Sequence, residues 1–173
     1  MKIAFKYGTV LAVIGIVVSM VSYLLGLHND AEKLKTANTA TQVIMFLVSV
    51  AGTLLAMRAV RAASADGSLS YGRAVGIGTL VWTFSGLISA PYVMIYGLVI
   101  NPEYHELIYQ QTIAEMTQAQ ADAAGDMMRF FTGPIWTGGM TLVMAPVMGA
   151  LLSLILALFV RRAPPAATAA PAA

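Results

Sequence analysis

The 173-residue chain has no cysteine, and only 10% of its residues are charged, against about 25% in an ordinary soluble domain. Without cysteine there is no disulfide, no thiol nucleophile and no thiolate metal site. Histidine occurs only at His28 and His105. The formal charge is +2, and Lys and Arg fall between apolar stretches. That distribution lacks the concentrated basic face that nucleic acid requires, so no nucleic-acid partner is expected.

What the chain has in excess is apolar surface, at 58% of residues, a composition suited to a lipid bilayer as partner. Its length fits a single domain. An α-helix crosses the ~30 Å hydrocarbon core with about 20 apolar residues. Spans are expected at about 8–27, 41–59, 74–100 and 134–160. The second is short, and it is supported by the return path that its neighbours need. Period-two alternation is absent, which excludes a β-barrel. The expected fold is therefore all-α and polytopic: four transmembrane helices, with an extra amphipathic extracytoplasmic helix between the third and fourth spans. The opening "MKIAFKYGTVLAVIGIVVSMVSYLLGLHND" has a basic flank, but its apolar run from Tyr7 to Leu27 exceeds the about 7–15 residues of a secretory core and no A-x-A site follows. It reads as an uncleaved anchor.

Positively charged loops stay cytoplasmic. Lys2, Lys6, Arg58, Arg61, Arg73, Arg161 and Arg162 fall on one side of the four spans, and Lys33, Lys35 and Arg129 on the other. Both termini are expected in the cytoplasm. In the inner loop, Asp66 and Gly67 signal a turn, Ser70 is placed to cap the third span, and the arginines suit anionic headgroups. The tail over 163–173, rich in Ala and Pro, has nothing large to pack and is expected to be disordered.

The spans contain no ionisable residue at membrane depth, so the usual parts of proton-coupled or ion-coupled transport are missing. Small residues recur instead. Gly15, Ser19, Ser22 and Gly26 lie on the first span, Ser85 and Ser89 on the third, and Ala145, Gly149 and Ser153 on the fourth. Such spacing lets helices approach closely. Pro91 and Pro146 remove backbone hydrogen bonds within spans and are expected to kink them.

"VINPEYHEL", at 99–107, turns suddenly acidic. Asn101, Pro102 and Glu103 read as N-cap, first helical position and dipole-favoured acid. One helix is expected over about 102–131. Tyr109, Ile113, Met116, Ala123, Met127 and Phe130 repeat by three and four, with Gln120 the one interruption, and leave Glu115, Gln118 and Asp122 to water. Surface-lying helices usually carry Lys or Arg on their polar face. This one is acidic, so its stripe is expected to pack on protein: the bundle's own outer ends, a second copy of the chain or another protein partner; the alternative is a solvated helical hairpin joining two spans. The interaction residues expected are Tyr109, Ile113, Met116, Met127 and Phe130.

Catalytic signatures fail on inspection. "HELIY" has tyrosine at 109 where the zincin motif needs histidine. "VGIGTL" lacks the last glycine of the dinucleotide fingerprint, and there is no G-x-S-x-G elbow. His28, His105 and the nearby acids would form a metal site only if the first and third spans adjoin, and such residues at helix ends are usually just solvated. No catalytic residue, cofactor or metal is expected, and the chain is read as a non-enzyme.

The order of these features resembles one bacterial membrane family: a basic amino terminus, four spans, the inner "LSYGRAVGIG", then "INPEY", a Met- and Gln-rich acidic helix, "GP" and a last span ending in basic residues. That family is domain of unknown function 4199. The resemblance covers about Met1 to Arg162 and implies a helical protein of the bacterial inner membrane, with no catalytic or cofactor residue to carry over. The function expected is assembly or interaction through the outer helix. The alternative is a small channel or transporter subunit for a neutral or apolar solute.

Overall fold

The structure, a computed structural model, describes residues 1–29 and 31–161. The tail over 163–173 lies outside the described residues. Among the described residues six α-helices follow in order: α1 (Lys2–Leu24), α2 (Ala31–Ala62), α3 (Tyr71–Ile95), α4 (Glu103–Ala114), α5 (Gln118–Thr132) and α6 (Pro134–Val160). A π-helical turn, Tyr96–Ile100, extends α3. No strand occurs among the described residues.

Among the described residues four segments are long and apolar enough to cross a membrane: Lys2–Leu24, Lys33–Ala62, Tyr71–Ile100 and Pro134–Val160. Their outward faces are apolar: Val13, Val17 and Val21 on α1, Phe46 and Leu47 on α2, and Ile155 and Phe159 on α6 are all exposed. Contiguous apolar surface of this extent needs a non-aqueous neighbour. This is the architecture of a multi-pass membrane protein.

Local signals explain where the helices stop. After α1, Gly26 adopts φ +71, and the N–H groups of Gly26 and Leu27 donate to the carbonyls of Tyr23 and Ser22. This left-handed cap ends the helix short of Leu27, the end expected for the first span, because glycine takes positive φ without a Cβ clash. Between α2 and α3, Gly67 has φ +64, and the Asp66 carboxylate accepts from Ser68 N–H at 3.0 Å. Hydrogen bonds from the Ser68 side chain and then from its N–H hold the Asp66 carboxyl below its ordinary range. Ser70 caps α3 by accepting from Arg73 N–H.

α3 is the central helix, packed along α6 and against α1 and α2. The contact with α6 is close because small residues line it. A Cβ at Gly78 would collide with Ser153, one at Gly149 with Trp82, and one at Gly86 with Ala145. Gly8 of α1 likewise lies against Val81 and Phe84 of α3. Trp82 donates to the buried Thr53 hydroxyl at 3.1 Å, tying α3 to α2. At the α2–α3 loop end, Met57, Val60, Leu69, Ala74, Leu156 and Val160 form a compact core. There Arg61 donates to Val160 O, occupying an orphan carbonyl at the end of α6.

Over 102–131 the chain forms two helices, where the stripe pattern had led to the expectation of one. The break lies at Glu115–Thr117. Thr117 accepts from Gln120 N–H, while the Gln120 side chain accepts from Thr117 N–H. This capping box satisfies donors at a new N-terminus. The apparent interruption at Gln120 is therefore the start signal of α5.

Candidate functional site

The α4–α5 hairpin closes the end of the bundle opposite the α2–α3 loop. Its docking rests on polar groups that the sequence separates widely. Tyr104 donates to Asn38 Oδ1 of α2 at 3.4 Å. Lys35 of α2 pairs with Glu115 at 2.7 Å, a contact that holds the Glu115 carboxyl below its ordinary range. Within the hairpin, Arg129 reaches both oxygens of Glu106 at 3.0 Å and stacks over the Tyr109 ring. Glu106 is shifted down, first by its hydrogen bond from Gln110 and then by Arg129.

His105 is the buried anchor of α4. Its Nδ1 faces the carbonyl of Thr132, so the proton belongs on Nδ1 and donates to an orphan carbonyl at the end of α5. The other nitrogen, Nε2, is buried without a partner and lies against Gly97 of the π-turn. A Cβ on Gly97 would overlap the ring and sit 2.8 Å from Pro134 Cβ. Glycine at 97 is thus what lets the imidazole seat. Burial holds His105 below its ordinary value of 6.5, partly opposed by the Thr132 bond, and burial alone does the same to His28.

Around these two histidines the aromatic side chains converge. Tyr96 is buried and meets Tyr92 at 5.8 Å, Tyr104 at 5.3 Å and Tyr23 at 6.0 Å between ring centroids. Tyr104 in turn meets His105 at 5.3 Å and His28 at 4.9 Å. Burial pushes the Tyr104 hydroxyl above its ordinary value of 10.0. Asn101 donates to the Tyr96 oxygen and to Asn29 Oδ1; with that donor in place, the Tyr96 hydrogen is directed to His28 Nδ1. Asn101 was expected to cap the helix after it. Its side chain instead knots the π-turn to the α1–α2 connection.

Beside this wall lies a cavity of ≈ 320 Å³. Its lining includes the aromatic residues Tyr92, Tyr96, Tyr104, His105 and Phe131 and the hydroxyl-bearing Ser19, Thr132 and Thr137. Among the described residues no charged side chain lines it. The elements that meet there are α1, α3 with its π-turn, α4, α5 and α6. The volume falls at the lower end of the ≈ 300–1,000 Å³ typical of ligand sites. π-Helical turns of this kind often accompany function.

The family model for protein of unknown function (DUF4199) matches residues 6–162. The chain belongs to this family. No curated protein and no solved structure matches it. For this DUF4199 member, fold and site geometry therefore carry the functional reading.

The interaction residues expected from sequence are divided by the break between α4 and α5. Tyr109, Ile113 and Met116 are half-buried, with the Tyr109 hydroxyl close to Gly125, whereas Met127 and Phe130 are exposed. Phe130 and Phe131 cluster with Trp136 of α6, at 5.3 and 4.9 Å between centroids. His28 and His105 do come to one end of the bundle, but among the described residues no three His, Asp or Glu side chains gather as metal ligands. Sequence reasoning missed Tyr92, Tyr96 and Tyr104. Tyr92 and Tyr96 lie at the end of the third span and Tyr104 at the start of α4, and tyrosines near span ends normally signal only the membrane interface.

Proposed function

We propose that this protein is a non-enzymatic component of the bacterial inner membrane that works by association through its α4–α5 hairpin. In this reading both termini face the cytoplasm and the hairpin faces outward, on the strength of the Lys and Arg distribution. The observation that carries the reading is α5. Its apolar and polar residues segregate clearly, yet it buries none of its residues, and Met127 and Phe130 stand exposed at 53% and 62%. A face of that kind wants a partner.

The partner favoured is a second copy. Arg129 is turned to Glu106 and the Tyr109 ring of α4, which leaves the Met127 and Phe130 face apolar and able to meet its own copy. Two α5 helices packed antiparallel across a twofold axis would cover Met127 and Phe130 of each copy with the same residues of the other, a self-complementary arrangement. Sizing of the full chain in mild detergent, with and without Met127→Glu and Phe130→Glu, tests this. A dimer that becomes a folded monomer supports the proposal; a monomeric parent, or a dimer indifferent to both changes, removes it.

The second reading is a small channel or transporter subunit for a neutral or apolar solute. It draws on the cavity beside α3 and on Pro91 and Pro146 within α3 and α6. Flux of a neutral solute into proteoliposomes, compared between the parent and Pro91→Ala, tests it.

A further inference from the structure

The cavity beside α3 has an unusual hydrogen-bonding balance. Most of its hydroxyl donors are already committed: Tyr92 to Ser19, Tyr104 to Asn38, Thr132 to Met128 O and Thr137 to Gly133 O. Tyr96 is committed to His28 in the same way. With those donors engaged, the lining offers aromatic rings and neutral oxygen atoms. An aromatic face carries negative charge density at its centre and positive density at its edge. The wall is continuous, since Tyr92, Tyr96, Tyr104 and His105 follow one another at centroid separations of 5.3 to 5.8 Å. Burial keeps His105 neutral near pH 7, so no fixed positive charge opposes a cation.

We propose that this cavity binds a trimethylammonium group, held by the faces of Tyr92, Tyr96 and Tyr104. Such a cation has no N–H and therefore makes no demand for a strong acceptor or carboxylate. Its methyl shell is apolar and its charge is attracted to ring faces within about 6 Å. A primary amine or a metal ion is held best by a carboxylate, and among the described residues none lines the cavity; an anion would meet an electron-rich wall. The cavity lies close to the ends of α1, α3 and α6, where either a soluble choline-like molecule or a choline lipid headgroup has access. The inference is independent of association through α5 and of whether any solute crosses the membrane.

Equilibrium dialysis of labelled choline against the full chain in maltoside micelles tests the site. Saturable binding is expected, with the uncharged tert-butyl isostere of choline competing at least about tenfold more weakly because it lacks the cation–π term. Tyr104→Phe should retain binding and Tyr104→Leu should lose most of it. If the leucine variant does not fold, the isostere comparison on the parent still decides. Absence of saturable choline binding, equal competition by the isostere, or undiminished binding by folded Tyr104→Leu would overturn the proposal. Equal competition would instead favour the neutral-solute reading. Repeating the dialysis in nanodiscs separates the sources: suppression by phosphatidylcholine but not phosphatidylglycerol identifies the lipid headgroup, and equal binding in both identifies the soluble cation.

Discussion

Gly97→Ala is the sharpest probe of how the hairpin seats. In a helical segment, alanine is favoured over glycine by roughly 1 kcal/mol, so propensity alone predicts a more stable protein. The structure predicts the opposite. The new methyl group would overlap the His105 ring and approach Pro134 Cβ to 2.8 Å, and neither ring can shorten to make room. Overpacking of this kind costs about 1–3 kcal/mol, and displacing the imidazole from the Thr132 carbonyl adds about 1 kcal/mol. The net expectation is destabilisation by about 1–3 kcal/mol. Gly139→Ala is the control, because nothing lies within 4 Å of a Cβ there. Unfolding in mixed micelles, followed by circular dichroism, measures both. The cost of Gly97→Ala should also shrink in a His105→Ala background, as expected for two residues in contact. A Gly97→Ala protein as stable as Gly139→Ala, or an unchanged cost when His105 is removed, would refute the seating described here.

The buried histidines predict acid sensitivity. Both fold with pKa values below the ordinary 6.5, so the unfolded chain binds protons more readily, and stability should fall as pH drops below 6.5. Melting curves between neutral and mildly acidic pH check this, and a combined His28→Gln and His105→Gln variant should show a flatter dependence. Thr117→Ala removes the capping box and should destabilise α5 by about 1 kcal/mol. Faster hydrogen exchange of the amides in the first turn of α5, with α6 unaffected, is the expected readout.

Much of the architecture was legible because bilayer spans leave long apolar runs. The second was the hardest: its apolar stretch is short, yet α2 starts at Ala31 because nothing in "AEKLKTANTA" breaks a helix. The small residues at 145, 149 and 153 belong to the α3–α6 contact, but their partners Gly78 and Gly86 were not picked out, because the bulky Trp82 stands between them at the four-residue step. The start of α5 was present in sequence as Thr117 and Gln120, and was masked by a stripe that runs through the break. The tyrosine and histidine wall was not legible. Tyr23 and His28, Tyr92 and Tyr96, and Tyr104 and His105 come from separate segments, and only the packing of α1, α3 and α4 brings them into contact.

The most direct test of the account is the side of the membrane on which the hairpin lies. The chain has no cysteine, so Ala119→Cys on α5 and Ala65→Cys in the α2–α3 loop each introduce a single thiol. Spheroplasts would be treated with a membrane-impermeant maleimide before and after lysis. With the hairpin outside, position 119 reacts in intact spheroplasts and position 65 reacts only after lysis. Labelling of position 65 in intact spheroplasts, or protection of position 119 until lysis, would contradict it.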